Sequence, residues 1–212
     1  MCYDIKSSLT AWVVANGLAL YLFTRNKNYD RWNAGFIAVF STVQLLEAGI
    51  WWTGPVEKDS PTPSVSNELL TKMILLILML QPLTQSYLGA VATQESFLYV
   101  LSFIYLGILL WVLVFRLGTA RPGQFYTTQG KRGHLVWVDK QESSFIGGWG
   151  IGTLYLAGLF VPLLFAKEKR GLPLILVGGG TAAFSLFLGV GEEFSSLWCY
   201  YAVLYALAAV FV

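Results

Sequence analysis

Long apolar runs separated by short polar connections dominate this chain. Seven runs are mostly apolar, at residues 9–24, 33–53, 69–90, 96–115, 144–166, 172–191 and 194–212. A helix that crosses a bilayer needs about 20 such residues, so each run predicts one transmembrane helix. The whole chain, 1–212, is therefore interpreted as a single polytopic domain, an all-α membrane protein with a seven-helix bundle.

Two features interrupt this pattern. The connection 118–142 contains two β-favouring runs, 124–128 and 134–138, around Gln129-Gly130-Lys131-Arg132-Gly133, which predicts a small β-hairpin between helices 4 and 5. The sixth run contains Gly178-Gly179-Gly180, which lowers its helix propensity. In a membrane, glycine is tolerated where a neighbouring helix packs closely, and close packing is expected here.

Composition supports the membrane assignment. Hydrophobic residues make up 56% of the chain and charged residues only 12%. A soluble domain carries about 25% charged residues, so most of this surface faces something other than water. The net charge of +2 favours neither nucleic acid nor an acidic ligand as a partner. Two cysteines are too few for a disulfide framework.

The distribution of basic residues bears on orientation. Seven crossings place the termini on opposite sides, with the N-terminus, the proline-containing loop 54–68 and the hairpin on one side, called the hairpin side. Lysines and arginines are nearly equal in number on the two sides, but the short loops 25–32 and 167–171 are densely basic. Basic short loops favour the cytoplasmic side, which predicts an N-terminus on the non-cytoplasmic side.

Glu47 is the residue that most needs a physical explanation. It lies inside the second run, where a carboxylate costs about 2.5–3.5 kcal/mol or more unless it is protonated, paired or hydrated. Gln44 and Trp51 stand on the same helical face. Intramembrane acids point to function by default, but a structural role for Glu47 is given equal weight.

Amides in neighbouring runs extend this polar core. Gln81 and Gln85 share a face of the third run beside Pro82, and Asn16 lies in the first run. Gln81 lies at a depth similar to that of Gln44, which makes a Gln44–Gln81–Glu47 network geometrically feasible. The alternative for these amides is a structural clamp between helices, which is common in membrane bundles.

A cavity mouth is predicted on the hairpin side. Glu192 and Glu193 lie between the last two runs, and Asp4 precedes the first. Either these acids ring the mouth of a cavity with Glu47 at its floor, or Glu192 and Glu193 simply cap the last helix at its N-terminus. In the cavity interpretation, the wall is formed by Trp51, Ser195, Ser196 and Cys199.

Several kinds of chemistry find little support. His134 is the only histidine, so a multi-histidine zinc site cannot form, and no metal or cofactor other than bound lipid is expected. The last run has no lysine for a retinal Schiff base, and no G-x-S-x-G elbow is present. The residues therefore favour a protein without catalytic activity, although an enzyme is left open.

Several local patterns occur together along the chain. They are Met1-Cys2 with Ser7-Ser8, Gln44-Leu45-Leu46-Glu47 with Trp51, Gln81-Pro82 with Gln85, Gly130-Lys131-Arg132-Gly133-His134-Leu135-Val136-Trp137, and Trp198-Cys199-Tyr200. The set resembles an uncharacterised group of seven-helix membrane proteins of bacteria and of large DNA viruses of algae. The resemblance spans nearly the whole chain and implies a heptahelical bundle with the glutamate-bearing second helix at its core, but it implies no activity.

Three functional hypotheses follow from the residues. The first is a channel or transporter for protons or a small cation, with Glu47 as the binding group. The second is a structural or lipid- or pigment-binding subunit, working with membrane lipids and with copies of itself or other membrane proteins. The third, a membrane-embedded hydrolase, ranks last because no metal-ligand set emerges.

Overall fold

The chain forms a mostly helical bundle with one small sheet. The structure is a computed structural model and describes residues 4–56, 63–140, 149–189 and 194–212. Within these residues it has seven α-helices and one antiparallel hairpin, as the sequence predicts. The helices are α1 Ile5–Arg25, α2 Asp30–Thr53, α3 Val65–Thr93, α4 Ser96–Trp111, α5 Trp149–Phe160, α6 Gly171–Gly189 and α7 Phe194–Val210, and the strands are β1 Phe125–Gln129 and β2 Leu135–Asp139.

Five helical segments are long and apolar enough to cross a membrane: Ile5–Arg25, Asp30–Thr53, Val65–Thr93, Ser96–Leu117 and Gly171–Leu188. The other two apolar segments, Gly152–Phe165 and Phe194–Val210, are shorter. This set is compatible with a multi-pass membrane protein. The predicted fifth run begins at 144, but residues 144–148 lie outside the described residues.

Three helices differ in detail from the apolar runs that predict them. α3 starts earlier than the run because Ser64 caps it, accepting a hydrogen bond from the Asn67 N–H. α4 ends in a π-helical turn, Val112–Leu117. α5 gives way to a 3₁₀ turn at Pro162–Phe165, since proline cannot donate the next helical hydrogen bond.

The triple glycine does not interrupt α6, which continues from Gly171 to Gly189. A Cβ on Gly178 would lie 2.8 Å from the Phe160 ring, so close packing is confirmed at this position. Gly179 and Gly180 face open space, and the same prediction is wrong for them.

α2 lies at the centre of the bundle. In its most apolar stretch 61% of residues are buried, against 22% in the stretch containing α4. It packs against α1, α3 and α7, and its aromatic residues Phe36 and Phe40 contact Tyr205 and Trp198 of α7. Glu47 is therefore carried by the most enclosed of the five long helices.

Polar contacts close the end of the bundle opposite the hairpin. Arg25 binds both carboxylate oxygens of Asp30 at 2.7 and 2.8 Å and donates to the Val210 carbonyl oxygen at 2.6 Å. Arg170 donates to the Val212 carbonyl oxygen at 2.8 Å. These bonds bring the α1–α2 turn, the start of α6 and the end of α7 together. α1 and α2 therefore run in opposite directions, as do α6 and α7.

The hairpin docks on α3 through one buried amide. Asn67 donates to the Thr127 carbonyl oxygen at 3.0 Å and accepts from the Thr127 N–H at 2.8 Å. Its side-chain amide therefore binds both backbone groups of Thr127, as a neighbouring strand would. The Val56 N–H donates to the same carbonyl oxygen at 2.9 Å. On the other edge of the hairpin, Arg116 pairs with Asp139.

Replacing Asn67 with alanine is expected to release the hairpin. The substitution leaves the buried Thr127 N–H without its acceptor, which costs about 1–3 kcal/mol. Amide hydrogen exchange in β1 and β2 is expected to become faster, whereas exchange in α1 and α2 stays unchanged. Gln129→Ala is the control, because this amide is exposed and lies in the same hairpin. Equal exchange in the two variants would contradict the docking role of Asn67.

Candidate functional site

Glu47 is completely buried on the inner face of α2. Its exposed fraction is 0%, and that of Gln44, one turn earlier, is 1%. The Gln44 Nε2 donates a hydrogen bond of 2.9 Å to the Glu47 Oε2. The predicted proximity of these two side chains is thus present in the structure. A carboxylate enclosed in this way strongly favours either protonation or further hydrogen bonding over a bare charge.

The two glutamines of α3 bind other partners. Gln81 accepts a hydrogen bond from the Tyr155 hydroxyl of α5. Gln85 accepts from the Trp32 indole at 3.1 Å and donates to the Leu159 carbonyl oxygen at 3.2 Å. Both glutamines are fully buried. Gln81 therefore ties α3 to α5, and Gln85 ties α3 to both α2 and α5.

Asn16 joins the polar core from α1. It is half-buried, and its amide donates to the Trp12 carbonyl oxygen and to the Ser41 hydroxyl, each at 2.9 Å. Ser41 lies one turn before Gln44 on α2. Asn16 thus acts as a clamp between α1 and α2 and extends the row of polar groups that ends at Glu47.

A large cavity opens beneath the hairpin. It has a volume of about 490 Å³ and lies between α3, the π-helical turn, the hairpin, α5 and α7. Ser195 and Cys199 belong to its wall, as the sequence analysis predicts for a hairpin-side cavity. Tyr155 and Trp198 belong to it as well. We call it the hairpin cavity.

A second, smaller cavity lies deeper in the bundle. It has a volume of about 30 Å³ and is lined by Ser41, Gln44, Thr181, Trp198 and Cys199 together with apolar side chains. We call it the inner cavity. Trp198 and Cys199 line both cavities and therefore separate them.

Among the described residues that line the hairpin cavity and the inner cavity, Glu47 is absent. It is linked to the inner cavity through Gln44 and lies within electrostatic range of the Cys199 thiol. Trp51, predicted as a wall residue, is half-buried and likewise lines neither cavity within the described part of the chain. The site is thus a buried carboxylate behind the layer that divides two cavities.

The acids predicted at the mouth are only partly described. Asp4 is exposed and caps α1, where its carboxylate accepts from the Ser7 N–H at 2.7 Å. This hydrogen bond holds the pKa of the Asp4 carboxyl below its ordinary value. Asp4 therefore acts as the N-cap of α1, a role that the sequence analysis did not predict for it. Glu192 and Glu193 lie outside the described residues.

Some residues of the site are missed by sequence reasoning. Tyr155 stands in a uniformly apolar run, so the sequence pattern does not indicate that its hydroxyl forms a polar contact. The pairing of Arg116 with Asp139 depends on the docked hairpin, and each residue alone reads as a loop charge. Trp198 and Cys199 stand out only through the motif Trp198-Cys199-Tyr200, which does not indicate that they separate two cavities.

Neither a metal cluster among the described residues nor a similar known protein assigns a function to this site. In the parts of the chain described here, no three His, Cys, Asp or Glu side chains are grouped closely enough to hold a metal ion. His134 lies buried in the hairpin. No protein-family model, curated protein or solved structure matches the chain significantly. The resemblance to the seven-helix group of bacteria and algal viruses therefore stays a prediction.

Proposed function

We propose that this chain is an integral membrane protein with seven crossings that moves protons or a small cation by means of Glu47. The single observation that carries the proposal is a completely buried carboxylate next to a layer that separates two cavities. Carboxylates in such positions are costly and mark ion or proton pathways in membrane proteins. The N-terminus is assigned to the non-cytoplasmic side, from the basic loops at the opposite end.

The exposed surface supports the membrane placement. α4 carries several large apolar side chains that are more than half exposed, among them Phe103 at 70% and Val100 at 57%. Apolar surface of this extent is unfavourable in water and suits lipid. α7 has 17 residues and is about 25 Å long, close to the 30 Å of a bilayer core.

The inner cavity supports a hydrated step next to Glu47. Its volume of about 30 Å³ accommodates about two water molecules. Ser41, Gln44 and Thr181 are polar side chains in a mostly apolar wall. The Ser41 and Thr181 hydroxyls already donate to the Ala38 and Gly178 carbonyl oxygens, so each offers such a water an acceptor lone pair. Only the Gln44 side chain, which is hydrogen-bonded to Glu47, stands between water bound there and the carboxylate.

Polar groups also extend toward the other end of the bundle. Tyr205 lines the inner cavity, and its hydroxyl donates a hydrogen bond of 3.4 Å to the Asn33 Oδ1. Asn33 in turn lines a small pocket of about 10 Å³ beside Arg170. The proposed route thus runs from the hairpin cavity past Cys199 to Glu47, and then past Tyr205 and Asn33.

The test is flux through purified protein in liposomes. Proton movement driven by a potassium diffusion potential is measured with an internal pH dye. Wild type is expected to exceed empty liposomes, and Glu47→Gln is expected to fall to the empty-liposome rate, because an amide neither binds nor releases the proton. Glu95→Gln is the matched control, because Glu95 is exposed at the start of α4 and makes no capping bond.

Two outcomes contradict the proposal. Full flux in a folded Glu47→Gln variant removes the carboxylate from the route. No flux of protons, sodium or potassium in wild type removes transport altogether. Elution of each variant as a single peak in size-exclusion chromatography verifies that it is folded.

A lipid-binding subunit is the second candidate function. The observation that favours it is the size of the hairpin cavity, because pockets for small molecules are generally about 300–1,000 Å³. In this case Gln44 and Glu47 set the packing of the helices, and Glu47→Gln lowers stability without changing flux. A hydrolase has no comparable observation in its favour.

A further inference from the structure

A groove on the outer surface of the bundle adjoins the hairpin cavity. It has a volume of about 380 Å³ and lies between α4 and α5, with Met79 and Pro82 of α3 at its floor. Met79 and Tyr155 line both the groove and the hairpin cavity. The two spaces therefore adjoin, with Met79 and Tyr155 between them.

The groove is suited to a hydrocarbon chain. Ile104, Trp111 and Leu154 line it and are 40–52% exposed, so it opens on the same apolar surface that faces lipid. Both phenol groups in its wall are already hydrogen-bonded: Tyr105 donates to the Leu154 carbonyl oxygen at 2.6 Å, and Tyr155 donates to Gln81. These two hydroxyl donors are therefore not available to a polar occupant of the groove.

The wall beneath the hairpin contains a hydrogen-bond donor without an acceptor. Trp137 lines the hairpin cavity, and its buried indole N–H has no hydrogen-bond partner among the described residues. A buried donor without an acceptor costs about 1–3 kcal/mol, so a ligand that supplies one is favoured. Arg116 and Asp139 lie in the same wall and pair with each other. Since their charges balance, the site favours an uncharged acceptor, such as an ester carbonyl.

The distance between the groove and the hairpin end of the site suits the length of one membrane lipid. Gly107 in the groove and Arg116 at the hairpin are nine residues apart on one continuous helical segment. At 1.5 Å per residue this separation is about 13 Å along the axis. Trp111 lies between them, and tryptophan favours the boundary between the hydrocarbon and the headgroups.

We propose that the groove and the hairpin cavity together bind one glycerophospholipid, with an acyl chain between α4 and α5 and an ester carbonyl accepting from the Trp137 indole. The proposal rests on the membrane placement made above, and it does not depend on proton or cation movement. It names the ligand class that the second candidate function requires.

Photocrosslinking in nanodiscs tests the acyl-chain site. The full chain is reconstituted with phosphatidylcholine carrying a diazirine in one acyl chain, and adducts are mapped by mass spectrometry. The readout, called the groove ratio, is the yield of adducts on Met79 and Ile108, which line the groove, divided by the yield on Phe103. Phe103 faces outward, so any lipid contacts it. Wild type is expected to show adducts on Met79 despite its 9% exposure.

Two glycine substitutions provide a matched pair. A side chain at Gly107 projects into open space in the groove, and one at Gly17 projects into open space on α1, so neither meets a protein atom within 4 Å at its Cβ. Gly107→Leu is expected to lower the groove ratio about tenfold, which corresponds to about 1.4 kcal/mol of binding. Gly17→Leu is expected to leave it unchanged. An unchanged ratio in Gly107→Leu would overturn the acyl-chain site.

The headgroup end has its own readout. Native mass spectrometry after detergent exchange counts phosphatidylcholine retained per protein. Trp137→Phe, which keeps an aromatic ring and removes the N–H, is expected to lower the retained fraction. Equal retention in this variant and wild type would exclude the indole as the carbonyl donor. Lipid binding together with absent flux would retain this proposal and remove transport, so the two can fail separately.

Discussion

Gly158→Ala is expected to destabilise the bundle by about 1–3 kcal/mol or more, as overpacking of a filled core does. A Cβ at this position would lie 2.4 Å from the Pro82 Cβ and 2.5 Å from the Tyr105 ring. Neither neighbour yields easily. The proline ring is part of the α3 backbone, and the Tyr105 hydroxyl is held by the Leu154 carbonyl oxygen.

The measurement is the unfolding midpoint of purified protein in mild detergent, followed by tryptophan fluorescence. Gly152→Ala is the matched control on the same helix, because its Cβ meets no atom within 4 Å. Alanine favours a helix over glycine by about 1 kcal/mol, so the control is expected to be neutral or stabilising. If Gly158→Ala is as stable as the control, α3, α4 and α5 do not meet at Gly158.

Arg25→Met is expected to cost about 3 kcal/mol, the lower end of the range for breaking a buried ion pair. Asp30 is only 3% exposed and would lose both of its guanidinium hydrogen bonds, keeping the Lys27 N–H at 2.7 Å. The same substitution removes the donor to the Val210 carbonyl oxygen at the end of α7. A basic side chain there also stabilises the C-terminal end of that helix.

A double-mutant cycle separates these two contributions. Asp30→Asn removes the charge of the partner with little change in shape, so the double variant is expected to be more stable than the sum of the single losses predicts. Arg31→Met is the control, because Arg31 is exposed and follows Asp30 in the first turn of α2. Additive losses in the cycle would mean that Arg25 acts through Val210 alone.

The fold was predictable to the extent that it depends on local pattern. The seven apolar runs correspond to the seven helices, and the two β-favouring runs correspond to β1 and β2 within one residue at each end. These signals are strong because burial in lipid or in a bundle requires continuous apolar sequence, and a hairpin requires a turn. The break at Pro162 was not predicted, although its cause, the missing proline N–H, is local. The π-helical turn after Trp111 was not predicted either, because its sequence is as apolar as the helix before it.

The candidate site was predictable only as a set of unusual residues. Glu47 stands out because a carboxylate in an apolar run is costly wherever the helix points. Its bond to Gln44 follows from helical spacing alone. The bond between Gln81 and Tyr155 was not predictable, because it depends on which helix lies beside α3 and on its rotation.

The sequence by itself therefore determined the number, type and approximate bounds of the helices, the hairpin, and the depth of Glu47, because each is a property of neighbouring residues along one chain. Only the tertiary structure decided which polar groups meet and where space is left between helices. Trp198 and Cys199 lie between two cavities, and Met79 lies between the outer groove and the hairpin cavity, since each lies where several helices converge. Such positions are set by helix packing over the whole chain, and no local pattern contains them.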